Sequence, residues 1–337
     1  MTRPWWHPDR LAARLPYLRR RALLTAATRG FFAARGYTEV ETPYAVQAPG
    51  EEVHLKTFAT EFHTVRGEKL PLWLHTSPEF AMKKLLAGGA GPIFQLARVW
   101  RNEEGSATHA PEFTMLEWYR PGATLDRLMD ETEDFLRAVL PPVVTCRGIT
   151  NAIDRFDRIS VADAFARWVG ADLLASVGDA ARLAADSGTS LRDGETWEDL
   201  FFRLLLARVE PELGRAHPTF LTHWPAPQAA LARRDPTDPR VALRFEIFVC
   251  GQELANAFAE LTDATEQRGR FVADRERRHA RAGPDWPLDE DFLAAVNVMP
   301  SCAGIALGFD RLAMIAAGAD GIEQVLWLPG TADPIYR

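Results

Sequence analysis

The chain of 337 residues has only three cysteines, Cys146, Cys250 and Cys302, with no CxxC spacing among them. That excludes a disulfide-framed scaffold and offers no cysteine zinc site. Nor does any apolar run approach the ~20 residues that cross a bilayer. The longest, LFFRLLLARV near 200 and IFVC near 247, carry or adjoin charges. The Arg-rich start, MTRPWWHPDRLAARLPYLRRR, lacks an apolar core of ~7 to 15 residues before a small-residue cleavage site. No secretory signal is expected, no membrane role, and a reducing cytoplasm fits best. A basic excess is missing as well: 39 Lys and Arg against 46 Asp and Glu leave a net charge of −7. A broad basic surface for nucleic acid is therefore excluded, although a local patch is not. Lysine itself is scarce. Lys56, Lys69, Lys83 and Lys84 are the four lysines, a bias that reads as GC-rich codon usage. There is no internal repeat, no low-complexity linker and no glycine-rich phosphate loop. What is present is an apolar fraction of 47%, enough for a sizeable core.

Periodicity predicts an opening helix over about 17–35, ending at Gly36, then a strand around Pro43 in TEVETPYAV. A loop-rich stretch from 47 to 70 leads to LWLHTSPEFAMKKLL, read as strand, Ser-Pro turn and helix. IFQLARVWR and FTMLEWYR form an antiparallel pair, and residues 124–140 a helix capped by Thr124. The Ala- and Leu-rich segment from about 158 to 213 reads as a helical insertion, bounded at about 122–215 when the preceding helix is included. Strands resume at TFLTHW, RFEIFVC and ANAFAEL, followed by a charged helix near 265–282 and a final strand, turn and helix in GIALGFDRLAMIAAG. Helices interrupting antiparallel pairs point to an α+β domain covering 1–337.

Three constellations carry chemistry. In RNEEGSATHAPEFTMLEWYR, alternation puts Phe113, Met115, Glu117 and Tyr119 on one face, with Arg101 closing the preceding strand. A guanidinium suits a phosphate or carboxylate, Phe113 offers a flat surface for a base, and Glu103 can accept from an exocyclic amine. An ordinary amphipathic hairpin would share the pattern. In RFEIFVCGQELANAFAELTD, Glu246, Glu253, Asn256 and Glu260 lie among apolar residues, where carboxylates need a cation. Two of them can hold Mg²⁺ bridging phosphates, and a salt-bridged structural cluster fits equally. Period two and helical spacing both match locally. In GIALGFDRLAMI, Gly304 and Gly308 permit a tight strand-to-helix passage, and Arg311 falls in the helix's first turn, a position that favours anions. An anionic ligand removes that conflict; a turn with a surface ion pair is the plainer reading.

Taken together and in order, ETP, RNEE…HAPEFTMLEWY and GIALGFDR resemble the three motifs of the class II aminoacyl-tRNA synthetases, lysyl branch, over nearly the whole chain. The chain is most similar to the short paralogues of that branch, the elongation factor P β-lysine ligases, which share TSPE and CAGVALGVDRL-like stretches. The resemblance implies ATP and Mg²⁺, with Arg101 on the α-phosphate and the substrate carboxylate, Glu103 on the adenine amine and Phe113 stacked on the ring. His109 and Arg311 would meet the outer phosphates beside Gly308, Glu246 and Glu253 would hold the metal, and Asn256 would orient the carboxylate. Ser77 and Glu79 would read the nearby amino group, with Glu117 lining the same pocket; Glu260 and Tyr119 would receive the distal ammonium. Carboxylates at both ends suit a substrate with two ammonium groups. Three departures stand out: HAPEF for the usual HNPEF, Ala257 where glycine is usual, and Ala306, which replaces a glycine of the tRNA-charging enzymes but is shared with the β-lysine ligases. A methyl in a pocket wall discriminates by ~1 to 3 kcal/mol.

An anticodon barrel needs on the order of 100 residues, and only 42 precede Pro43. The expectation is therefore an ATP-dependent ligase joining (R)-β-lysine or lysine to a lysine of elongation factor P, with tRNA an improbable acceptor. The first motif implies a homodimer. The alternatives are a truncated synthetase that charges tRNA or makes diadenosine polyphosphates, and an inactive paralogue serving as a regulatory subunit. Retention of Arg101, Glu103, Glu246, Glu253 and Arg311 speaks against the last.

Overall fold

A computed structural model describes residues 6–229, 231–280 and 285–328. Helix α1 (Pro8–Ala33) starts earlier than its apolar stripe, with Pro8 in the first turn, where no intrahelical N–H is needed. Residues 1–5 and the last two of the expected 265–282 helix lie outside the described residues. The single strand expected around Pro43 is two short ones, β1 (Thr38–Glu39) and β2 (Ala45–Val46), because proline between them cannot donate to a ladder. The expected loop from 47 to 70 holds β3 (Phe58–His63), which pairs with β4 (Lys69–Leu74). Helix α2 (Glu79–Ala87) follows the Ser-Pro turn, and β5 (Ile93–Trp100) pairs antiparallel with β6 (Glu112–Pro121). Helix α3 (Leu125–Val139) is capped by the Thr124 hydroxyl, which accepts from Arg127 N.

The span 122–215 is not purely helical, which corrects the expectation. After α3 come β7 (Val143–Cys146), β8 (Ile149–Ala152) and β9 (Asp157–Ser160), then α4 (Val161–Ala164), α5 (Ala180–Asp186) and α6 (Trp197–Leu204). Four-residue strands carry too little alternation to be seen in the sequence. Nor does this span stand apart: Phe135 of α3 packs on Phe31 and Trp118, and β9 joins the main sheet beside β10 (Thr219–Pro225). The chain continues through β11 (Val241–Val249), β12 (Gln252–Ala259), α7 (Ala264–Ala280), α8 (Glu290–Val296), β13 (Cys302–Gly308) and α9 (Phe309–Ala317).

The main sheet has eight strands in the order β1-β5-β6-β13-β12-β11-β10-β9, antiparallel except for the parallel pairs at its two edges. The α+β class therefore holds. Alternation sends Phe94, Trp118, Phe245 and Ile305 to one face, where α1, α3 and α9 cover them with Phe32, Phe135 and Leu312. The opposite face is left for α2, α7 and α8, joined by Phe80 stacked on Phe292 at 4.1 Å and by Phe271 beside them. A space remains beneath these three helices.

One buried ion pair fixes the start of α9. Arg21 of α1 bonds Asp310 and donates to Thr114 Oγ1 at 2.9 Å, while Asp310 Oδ2 accepts from Thr114 N at 3.0 Å. Losing one partner of such a pair costs about 3–5 kcal/mol. R21M should therefore lower the urea midpoint accordingly; an unchanged midpoint would show that the pair contributes nothing.

Candidate active site

Strand pairing builds a row of side chains on the uncovered face. Glu117 on β6 lies opposite Ala306 on β13, Ala306 opposite Asn256 on β12, and Asn256 opposite Glu246 on β11. With strands ~4.8 Å apart, three such steps span about 14 Å. The next row holds Tyr119, Gly304, Phe258 and Arg244. A Cβ at Gly304 would overlap the Tyr119 ring and come within 2.6 Å of Glu260 Oε1, so only glycine lets these two acid-pocket residues close over it. The ANAFAEL stretch is thus a strand, which settles the ambiguity of its spacing.

Above the rows is a cavity of about 380 Å³, lined by Ser77, Glu79, Arg101, His109, Phe113, Glu253, Asn256, Ala306, Gly308 and Arg311. Glu117, Tyr119, Glu246 and Glu260 are buried in the wall behind this lining. Glu103 is not brought in. Its backbone is left-handed (φ 62°), its N–H donates to Asn102 Oδ1, and its side chain is exposed, while Glu104 lines the cavity instead. The sequence reading also missed Glu51, Lys83, Glu210, Arg244, Asp274 and Asp310. Of these, Lys83 alone had a visible signal, its four-residue spacing from Glu79 on a helix.

At one end are the cations. The Arg101 guanidinium lies 5.2 Å from the Phe113 ring centre and 4.0 Å from Glu104, and its Nε is buried without a hydrogen-bond partner. A charged fork held this loosely is ready for an anion. Arg311 donates to the Glu253 carbonyl at 2.7 Å and to His109 Nε2. Accepting at Nε2 leaves the His109 proton on Nδ1, which is 2.9 Å from Ser106 Oγ and 3.1 Å from Thr108 Oγ1. Burial, with Arg311 adding to it, pushes His109 down to about 4, so the imidazole is neutral at pH 7. Phosphate oxygens would draw Arg311 away from these partners.

Beside them lies an acidic cluster. Burial, then Glu253 and more weakly Glu210, push Glu246 up to about 8, although Arg244 donates to it at 2.6 Å. Glu210 is itself raised to about 7 by burial and by Glu253. These acids want more positive charge than Arg244 supplies, which is the environment a divalent cation fits. Among the described residues no three His, Cys, Asp or Glu side chains form a ready-made metal site. A Mg²⁺ held by Glu246 and Glu253 would complete its shell with phosphate oxygens and water. Arg244 also donates to Asn256 Oδ1 at 3.1 Å, leaving the Asn256 NH₂ as the donor for a substrate carboxylate.

The far end is anionic. Tyr119 donates to Glu117 Oε2 at 2.9 Å, while Glu117 Oε1 and Glu260 Oε1 are buried without hydrogen-bond partners. Burial, with Glu79 next, pushes Glu117 up to about 8. Burial also takes Glu260 up to about 7 against the opposing pull of Lys83. Buried carboxylate oxygens without partners need a positive charge or a donor beside them. Of the two residues expected to receive the distal ammonium, Tyr119 is bonded to Glu117 and Glu260 is paired with Lys83 in this structure.

Two arginines, the Glu246–Glu253 acids and a cluster of buried carboxylates thus lie in or directly behind one cavity on an antiparallel sheet. The family model described as tRNA synthetases class II (D, K and N) matches residues 11–332, from α1 past α9 and including every residue named above in the site. The chain belongs to the class II tRNA synthetase family, whose catalytic domain is an ATP-dependent, amino-acid-activating ligase.

Proposed function

We propose that the protein activates a lysine-like diamino acid, (R)-β-lysine by preference, as an aminoacyl-adenylate and transfers it to the ε-amino group of a lysine on elongation factor P. The observation that carries this reading is the polarity of the site: Arg101 and Arg311 line the cavity at one end, and at the other Glu79 lines it with Glu117 and Glu260 buried in the wall behind. In the first step a substrate carboxylate oxygen attacks the α-phosphorus of ATP, a mixed anhydride forms, and the bond to pyrophosphate breaks. The carboxylate is already ionised, so no base is required. Arg101 aligns the two reactants and Arg311 gathers charge on the departing pyrophosphate. Bound Mg²⁺ supplies further neutralisation of the phosphates. In the second step the acceptor amine attacks the carbonyl carbon, an amide forms, AMP leaves, and the amine's proton passes to solvent. Ala306 stands between Glu117 and Asn256 in the row, where its methyl limits how the chain between carboxylate and ammonium lies.

Incubation with ATP, β-lysine and elongation factor P should add one lysyl mass to the factor. Unmodified factor alongside efficient tRNA charging, or accumulation of diadenosine polyphosphates, would favour the truncated-synthetase reading. The family's first motif, here ETP at Glu41–Pro43, also leads to a homodimer, so light scattering at micromolar concentration should give about twice the chain mass of 37.6 kDa; the monomer mass would contradict it.

A further inference from the structure

Lys83 is the residue of the acidic pocket that the proposed reaction leaves without a task. It projects from α2, its side chain is 2% exposed, and its Nζ lies 2.6 Å from Glu79 Oε1 and 2.5 Å from Glu260 Oε2. An ammonium is not needed there to hold the helix to the sheet, since Met82 and Leu86 of α2 already pack on Ile93, Tyr119 and Cys302. Burying a charge so completely is costly unless its partners require it. Glu79, Glu117 and Glu260 together carry three negative charges when ionised, and Lys83 returns one positive charge. An oxygen of Glu117 and one of Glu260 are left unpartnered. Of the other ionisable groups near this pocket, neither Tyr119 nor Cys302 is charged at neutral pH, whereas Arg233 adds a second positive charge and Glu52, beside Glu79, a further carboxylate.

We propose that Lys83 is a specificity-determining residue: a resident ammonium that ties back Glu79 and Glu260 through two ion pairs and so holds their carboxylates in place to receive an ammonium of the substrate. This rests on the diamino-acid reading of the cavity. Without Lys83 the three acids repel one another, protons compensate them, and the pocket no longer attracts a doubly charged substrate at neutral pH.

The test is K83M, close in length but uncharged, assayed by ATP–pyrophosphate exchange in the full chain. The expected result is a KM for the diamino acid raised about tenfold at pH 7, levelling off about one pH unit higher than in wild type. The KM for ATP and the saturated rate should stay within about threefold, a split that a general structural defect would not produce. An unmoved KM and pH profile in a folded K83M overturns the proposal, as does an equal loss of ATP and amino-acid binding. A second measurement does not depend on the variant folding. The chain has four lysines, so ¹⁵N-lysine labelling of wild type gives four side-chain ammonium signals, assigned by elimination with K56R, K69R and K84R. The Lys83 signal should persist at pH 8, protected from solvent, and shift when lysine is added but not norleucine. A signal that stays fixed while wild type activates the diamino acid overturns the proposal. A wild type that activates no diamino acid overturns the reading beneath it.

Discussion

Replacing Arg311 by alanine should reduce ATP–pyrophosphate exchange by about 10²–10³-fold, the loss expected when a positioned group that stabilises developing charge is removed. The reason lies in where the cation sits. Arg311 is in the first turn of α9, where the helix dipole opposes positive charge. Its neighbour Asp310 does not neutralise it, being committed to Arg21 and Thr114 N. The nearest carboxylate, Glu253, is 3.7 Å away and 43% exposed, so it is a weak counter-ion. A guanidinium held against its own helix by a carbonyl and a neutral imidazole gains most when a polyphosphate arrives. R311K should recover only part of the loss, because an ammonium cannot present a planar fork. Unfolding midpoints should stay near wild type, since the ion pair anchoring α9 uses Asp310. Exchange at the wild-type rate in R311A would remove Arg311 from the phosphate site.

The second large effect is a pH dependence of amino-acid binding set by Glu117. Its carboxyl is pushed up to about 8, so in the empty pocket it carries a proton at pH 7. An arriving ammonium needs the carboxylate and must displace that proton. The KM for the diamino acid should therefore fall with rising pH, by up to about tenfold per unit below pH 8, and flatten above it. E117Q removes the charge, so its KM should rise about 10–100-fold, the worth of a charge-assisted hydrogen bond, and this dependence should disappear. Stability should move the other way. The folded state holds the Glu117 proton more tightly than the unfolded chain, whose ordinary value is 4.5, so stability is fully present below about pH 4.5 and declines towards pH 8. E117Q should consequently melt higher than wild type at pH 8 without substrate. A KM flat from pH 6 to 8 in wild type, or one equally steep in E117Q, would place the ammonium elsewhere.

Much of this site was legible in the sequence because strand alternation is local. FTMLEWY declares by period two that Phe113, Glu117 and Tyr119 share a face, and the structure puts Glu117 and Tyr119 in hydrogen-bond contact. The family was legible for a similar reason, since its motifs are short and ordered. Pairing across strands was not. Nothing in RFEIFVC tells which residue stands opposite Asn256, and so Arg244, bridging Asn256 and Glu246, went unseen. Glu103 lies outside the cavity lining, exposed at a left-handed residue that counting along the loop does not reveal. Lys83 and Glu260 meet across more than 170 residues of sequence, at a helix and a strand end, and only folding brings them together. The strands β3, β7, β8 and β9 were missed because short runs between turns carry little periodicity.

The central claim is that one cavity positions a polyphosphate at its cationic end and a doubly charged amino acid at its anionic end. ATP–pyrophosphate exchange across α-lysine, β-lysine, norleucine and 6-aminohexanoate tests it most directly. The account predicts exchange with the two diamino acids, β-lysine the better, and at least about tenfold less with either compound bearing a single ammonium. Equal rates with norleucine, or exchange indifferent to the second ammonium, would contradict it.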